Sequence, residues 1–196
     1  MEEPLDKPNR RALPGVRLPV FVSGPTKLSP EQDDVRNAIF DILEEEELAP
    51  RALGQTDYPD SLPLVQVCMI ASHCAGGLIL GFEQIRATAG TQKYRARDSE
   101  YRDASKPIDG MLRLPTAWNH MEAGVLFALG RPLLIMCETG IVDGVFFPGT
   151  ASTFTHTLPA NLNEMTRQRD QIRQIIKSWR GRVSATYRSN WQFADR

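Results

Sequence analysis

Leu114-Pro115-Thr116-Ala117-Trp118-Asn119-His120-Met121-Glu122-Ala123-Gly124-Val125-Leu126-Phe127-Ala128-Leu129-Gly130-Arg131-Pro132-Leu133-Leu134-Ile135-Met136 reads as loop, helix, tight stop and buried strand. Thr116 is placed to cap the helix, because its hydroxyl can accept from a free amide of the first turn. Trp118, Met121, Val125, Leu126 and Leu129 recur at helical spacing and predict an apolar stripe toward the core. Gly130 ends the helix and Pro132 blocks its return. Leu133 to Met136 is a short continuous apolar run, as expected of a strand covered on both faces. Glu122 is the anomaly, because it falls on or beside the stripe. A carboxylate there is costly unless it is paired or opens into a cleft. The residues alone leave both readings open: a helix-edge acid pairing with an arginine, or a functional carboxylate.

Outward from this block, the chain alternates strand and helix. Leu18 to Val22 is an apolar strand ending on Ser23-Gly24-Pro25-Thr26, small residues whose amides could meet an anion. Ser29 caps the next helix, with Pro30 at its first position and Val35, Ile39, Ile42 and Leu43 facing inward. The acidic run Glu44 to Glu47 is expected to face water and fray the helix end, against the helix dipole. A short second strand is expected between Arg51 and Tyr58. A helix capped by Asp60 or Ser61 follows, then a third strand over Leu78 to Phe82. This order predicts right-handed crossovers and a parallel sheet.

Residues 83–113 break the rhythm. They are polar and net basic, with Tyr94 and Tyr101 among Arg86, Lys93, Arg95, Arg97, Arg102, Lys106 and Arg113. A long loop leaving a central strand's carboxyl end is either a ligand-binding device or a mobile insertion. Val145 to Gly149 is expected to form a hairpin or loop over the cleft mouth, and Phe154 to Leu158 a last strand. Leu162, Met165, Ile172, Ile175, Ile176 and Trp179 predict a long amphipathic C-terminal helix. The expected organisation is therefore a flexible arm over 1–17, an α/β nucleotide-binding domain over 18–158 carrying the insertion, and a helical extension over 159–196.

The bulk numbers bound the function. The chain has 196 residues, a hydrophobic fraction of 41% and a formal net charge of −1, so one sizeable core is expected and nucleic acid is not an expected partner. The acidic stretch Glu31–Glu47 and the basic stretch Arg167–Arg188 read most simply as solvated helix faces. Cys68, Cys74 and Cys137 form no CxxC pair, and His73, His120 and His156 are scattered, so neither a disulfide framework nor a metal site is expected. No apolar run reaches the ~20 residues that span a bilayer. A reducing, cytoplasmic setting without membrane association is the expectation.

The Ser23-Gly24-Pro25 strand end, the Gly77-Leu78-Ile79-Leu80-Gly81-Phe82 strand and the Thr116-to-Gly124 helix start followed by Ala128-Leu129-Gly130-Arg131-Pro132 together resemble the nucleoside 2-deoxyribosyltransferase-like family. That group has a flavodoxin-like fold, a doubly wound parallel sheet, and is related to the TIR-domain NAD hydrolases. The resemblance implies that Glu122 is the catalytic carboxylate, acting on an N-glycosidic bond. It implies that Ser23, Gly24 and Pro25 lie under the sugar or nucleotide, and that a homo-oligomer forms. The family's first-strand Tyr is absent here, with Phe21 nearest, and Glu83-Gln84 stands where the family has an Asp. These departures and the basic insertion favour a phosphorylated nucleotide or a dinucleotide such as NAD, as substrate and not as cofactor. The expected substrate-binding set is Ser23, Gly24, Pro25, Phe82, Glu83, Gln84, Arg95, Arg97, Trp118 and Asn119. His120 points away from Glu122 around the helix and is expected to be structural. Alternatives to an enzyme are a non-catalytic nucleotide-sensing domain of the same fold and an assembly module built on the C-terminal helix.

Overall fold

The computed structural model describes residues 17–54, 56–57, 62–93, 105–107, 110–152 and 154–191. The elements run β1 (Leu18–Ser23), α1 (Pro30–Glu45), β2 (Leu48–Arg51), α2 (Pro63–Ser72), β3 (Gly77–Gly81), β4 (Ile85–Ala87), β5 (Thr91–Lys93), β6 (Ser105–Pro107), β7 (Leu112–Leu114), α3 (Ala117–Ala128), β8 (Leu133–Cys137), β9 (Thr155–Thr157) and α4 (Leu162–Trp191). Five strands form one sheet in the order β2-β1-β3-β8-β9, and every neighbouring pair is parallel. This is the flavodoxin-like, doubly wound α/β fold with a long C-terminal helix.

Side-chain alternation along the strands divides the core into two layers. Val20, Val22, Leu78, Leu80, Leu134 and Met136 pack with α1 and α4. Phe21, Ile79, Leu133, Ile135 and Cys137 turn to the other face, against α2 and α3. Two glycines of β3 set how closely that second layer approaches. A Cβ on Gly77 would lie 2.6 Å from Leu126 Cδ1, and one on Gly81 2.5 Å from Phe146 Cε1.

Helix ends follow the sequence signals. Ser29 and Gln32 form a reciprocal capping box on α1, with Pro30 at its start. Thr116 caps α3, accepting from the Trp118 amide at 3.2 Å, and Gly130 just beyond the helix takes φ 65°. On α2 the cap position is Leu62, with no side-chain cap bond, while Asp60 and Ser61 lie outside the described residues.

Four expectations are corrected. The second strand precedes the Arg51–Tyr58 segment. It contains Pro50, which is tolerated because β2 is an edge strand with one hydrogen-bonded side. The insertion carries regular structure: Ile85–Ala87 pairs antiparallel with Leu112–Leu114, and Thr91–Lys93 with Ser105–Pro107, so it leaves the sheet as a hairpin arm. The acidic run that closes α1 faces water at Glu44, Glu45 and Glu47, as expected, but Glu46 is buried and all four acids are paired. Arg17 pairs with Glu44, Arg169 with Glu45, Arg173 with Glu46 and Arg180 with Glu47. Glu45, Glu46 and Glu47 thus meet three arginines of the basic stretch where α1 packs on α4, and Glu46 is buried in the contact.

The fourth correction concerns α3. Its buried residues are Asn119, Glu122, Ala123 and Leu126. Trp118, Met121 and Leu129, the larger part of the expected stripe, are 39–42% exposed. The sheet surface beneath α3 explains the rotation. It offers Ser23, which takes a hydrogen bond from Asn119, and the bare backbone of Gly77, which leaves room for Leu126, so the face carrying these two residues turns inward.

Candidate functional site

In open α/β sheets, ligands sit beyond the carboxyl ends of the strands, where the strand order reverses. Here the reversal lies between β1 and β3. A cleft of about 330 Å³ opens there. It is lined by Gly24, Pro25, Thr26 and Lys27 after β1, Leu53 and Gly54 after β2, Pro63 at the start of α2, Gln84 after β3, and Thr116, Trp118 and Glu122 from the start of α3.

Glu122 lines this cleft although only 7% of it is exposed. No cationic side chain pairs with it among the described residues. Burial dominates its protonation and raises its pKa to about 7, and a hydrogen bond from Ser23 pulls in the opposite direction. The Ser23 hydroxyl has its own fixed partner. Asn119, fully buried, donates through Nδ2 to Ser23 Oγ at 2.8 Å and to the Leu80 carbonyl at 3.3 Å. Since Ser23 Oγ accepts from Asn119, its single proton is left to donate to Glu122. Asn119 and Ser23 thus stand behind the carboxylate and orient it. Asn119 Oδ1 has no hydrogen-bond partner.

The loop after β2 is braced by the Arg51–Asp57 ion pair, which holds the Asp57 carboxyl below the usual aspartate value. Thr56 adds a bond from the Ala52 amide to its Oγ1 at 2.7 Å. These contacts bring Leu53 and Gly54 to the cleft. Of the expected site residues, Gly24, Pro25, Gln84, Trp118 and Glu122 converge on it, with Ser23 and Asn119 directly behind. Phe82 is wholly buried in the core on the α1/α4 face and does not line the cleft. Glu83 is bound by Arg86 at 2.6 Å and Arg113 at 3.2 Å, and its amide donates to Glu138 at 2.6 Å, so it anchors the base of the hairpin arm. Arg95 and Arg97 lie outside the described residues.

His120 turns to the far side of α3, where it accepts from the Val145 amide at 3.4 Å and meets Phe146 edge-on at 5.7 Å. The 145–149 segment, expected as a cover for the cleft, contributes nothing to its lining. Phe146 instead packs under β3 at Gly81. Sequence reasoning missed Lys27, the one cationic side chain lining the cleft among the described residues. Its signal was present: a lysine four residues after the end of a strand that closes on small residues. Thr26 belongs to the small-residue strand end that the sequence marked for an anion, whereas Leu53, Gly54 and Pro63 carried no comparable signal, because their approach depends on the β2 and α2 loops folding together.

Among the described residues there is no cluster of three metal-ligating side chains and no helix long and apolar enough to cross a membrane. The sequence matches no family model and no curated protein. The fold and the switch-point cleft define the chain as a flavodoxin-like α/β protein with a buried carboxylate lining that cleft.

Proposed function

We propose that this protein cleaves an N-glycosidic bond of a nucleotide, a nucleoside monophosphate or an NAD-like dinucleotide, with Glu122 as the catalytic carboxylate. The observation that carries the reading is a carboxylate without a cation partner among the described residues, desolvated but open to a cleft at the β1/β3 switch point. Structural carboxylates buried to this degree are ordinarily paired. The resemblance of residues 116–132 to the nucleoside 2-deoxyribosyltransferase-like group supports the same assignment.

In this mechanism the sugar C1′ lies over Glu122. The C1′–N bond breaks as positive charge builds on the sugar, which a carboxylate in a low-dielectric site stabilises strongly. The base leaves with the bonding pair. Glu122 closes on C1′ as an ester, and water then attacks C1′ and releases the carboxylate. Water supplies the hydroxyl to the sugar and a proton to a neutral leaving base, while nicotinamide leaves without one. If a second base or an alcohol replaces water, the same site is a transferase. Ser23 holds the carboxylate in position, Trp118 walls the sugar or base, Gln84 reads a base edge, and Lys27 with the amides near Gly24 receives a phosphate.

A binding-only reading has one observation in its favour. With a pKa near 7, Glu122 is partly protonated at neutral pH and suits a neutral hydrogen-bonding role as well as a nucleophilic one. Incubation with NAD, NADP and a panel of nucleoside monophosphates, followed by chromatography of free base, separates the two. Base release by wild type and none by Glu122→Gln is the expected result. No release by either protein, together with a nucleotide-dependent rise in melting temperature, replaces the catalytic reading with the binding one. Assembly as a homo-oligomer belongs to the same proposal, supported by the exposed apolar side chains of α2 and α3, such as Met69, Met121 and Phe127. Light scattering of the purified chain tests it.

A further inference from the structure

A second cavity, about 660 Å³, lies on the opposite face of the sheet and shares no residue with the Glu122 cleft. It exists because α4 crosses back to pack on α1 and leaves the β8–β9 end of that face uncovered. Its floor is Leu134, Ile175 and Trp179, and Phe154 forms an exposed aromatic wall. Gln171, Gln174, Ser178 and Arg182 come from one stripe of α4, at spacings of three, four and four residues. His156 faces them from β9, where it pairs in register with Met136.

The polar lining is lopsided. Among the described residues no carboxylate lines this cavity. The neighbouring arginines of α4, Arg169, Arg173 and Arg180, are spent on the acidic run of α1, whereas Arg182 pairs with no carboxylate among the described residues. Its charge reaches His156, which burial, and then Arg182, hold below the ordinary histidine value. A cation, two primary amides and the hydroxyls of Ser152 and Ser178 over an apolar floor, beside an exposed aromatic ring, match an anionic group carrying a flat ring system.

We propose that the β9–α4 cavity is a second binding site, for an aromatic organic anion of nucleotide size, held by Arg182 at its charged group and by Phe154 at its ring. The site does not depend on the chemistry proposed for Glu122.

The chain has three histidines, so proton NMR of the imidazole resonances reports the site directly, with His156 assigned through His156→Gln. Adenosine monophosphate, adenosine and inorganic phosphate are the probes. Saturable displacement of the His156 resonance by the monophosphate is expected, with at least tenfold weaker responses to adenosine and to phosphate. Arg182 is exposed on its helix, and Arg182→Gln is expected to keep the fold by circular dichroism and to weaken the response at least tenfold. Glu122→Gln is expected to leave it unchanged. An unmoved His156 resonance, an equal response to adenosine, an equal response to phosphate, or a full response in folded Arg182→Gln overturns the proposal.

Discussion

Replacing Glu122 by Gln is expected to stabilise the protein, and to do so only above acid pH. The Glu122 carboxyl goes from 4.5 in the unfolded chain to about 7 in the folded one, chiefly through burial. Between these values the folded chain holds a proton that the unfolded chain has released, so stability falls as pH rises through this window. Below pH 4.5 both states are protonated and the group costs nothing. Above pH 7 both are ionised, and the folded state carries a buried charge at a cost of about 3 kcal/mol. Glutamine has nearly the same shape, carries no charge and does not titrate. Glu122→Gln and wild type should therefore have nearly equal stability at pH 4 and differ by about 3 kcal/mol in favour of the variant at pH 8. For a chain of this length that corresponds to about 6–12 °C in melting temperature. Urea unfolding of both proteins at intervals from pH 4 to 8.5 measures the difference, and titrations elsewhere cancel in the comparison. A stability difference that does not change with pH, or that favours wild type at pH 8, refutes the argument that Glu122 is desolvated and unpaired. If the proposed activity holds, the same variant releases no base, and stability is then exchanged for function at this side chain.

Three other substitutions probe the frame of the site. Gly81→Ala places a Cβ 2.5 Å from Phe146 Cε1 and 2.8 Å from Cys137 Cβ; a loss of about 1–3 kcal/mol in denaturant unfolding is expected from overpacking. Glu46→Ala removes the buried acceptor of the Arg173 guanidinium, bound at 2.7 Å, and should lower stability by about 1–2 kcal/mol in the same assay. Asn119→Ala leaves Ser23 Oγ without its buried donor and should cost about 1–3 kcal/mol. If the proposed activity holds, it should also lower kcat more than it raises KM, because the residue orients the carboxylate without lining the cleft.

Much of the fold was legible in local signals. The capping box at Ser29, the Thr116 cap and the Gly130 stop are written within a few residues of sequence, so they needed no tertiary knowledge. The apolar runs Leu78–Phe82 and Leu133–Met136 identify central strands, because only strands covered on both faces are apolar throughout. Glu122 stood out for a similar reason: a lone acid in an apolar helix demands an explanation. The hairpin arm was not legible, since its short polar strands lack alternation and pair across an insertion.

What the sequence by itself determined, then, is the order of elements, their ends and the presence of one carboxylate in an apolar helix. Tertiary structure decided which face of that helix is buried. The apolar spacing favoured Trp118, Met121 and Leu129, but the sheet offered Ser23 and Gly77, and a helix turns toward the surface it can pack on and hydrogen-bond to. Tertiary structure also decided the fate of the charged stretches. Glu45–Glu47 and the arginines of α4 are more than a hundred residues apart, and only the packing of α1 on α4 makes Arg169, Arg173 and Arg180 their partners and leaves Arg182 free of a carboxylate among the described residues. Local pattern records what a side chain is, while its cost or use depends on what the fold sets opposite it.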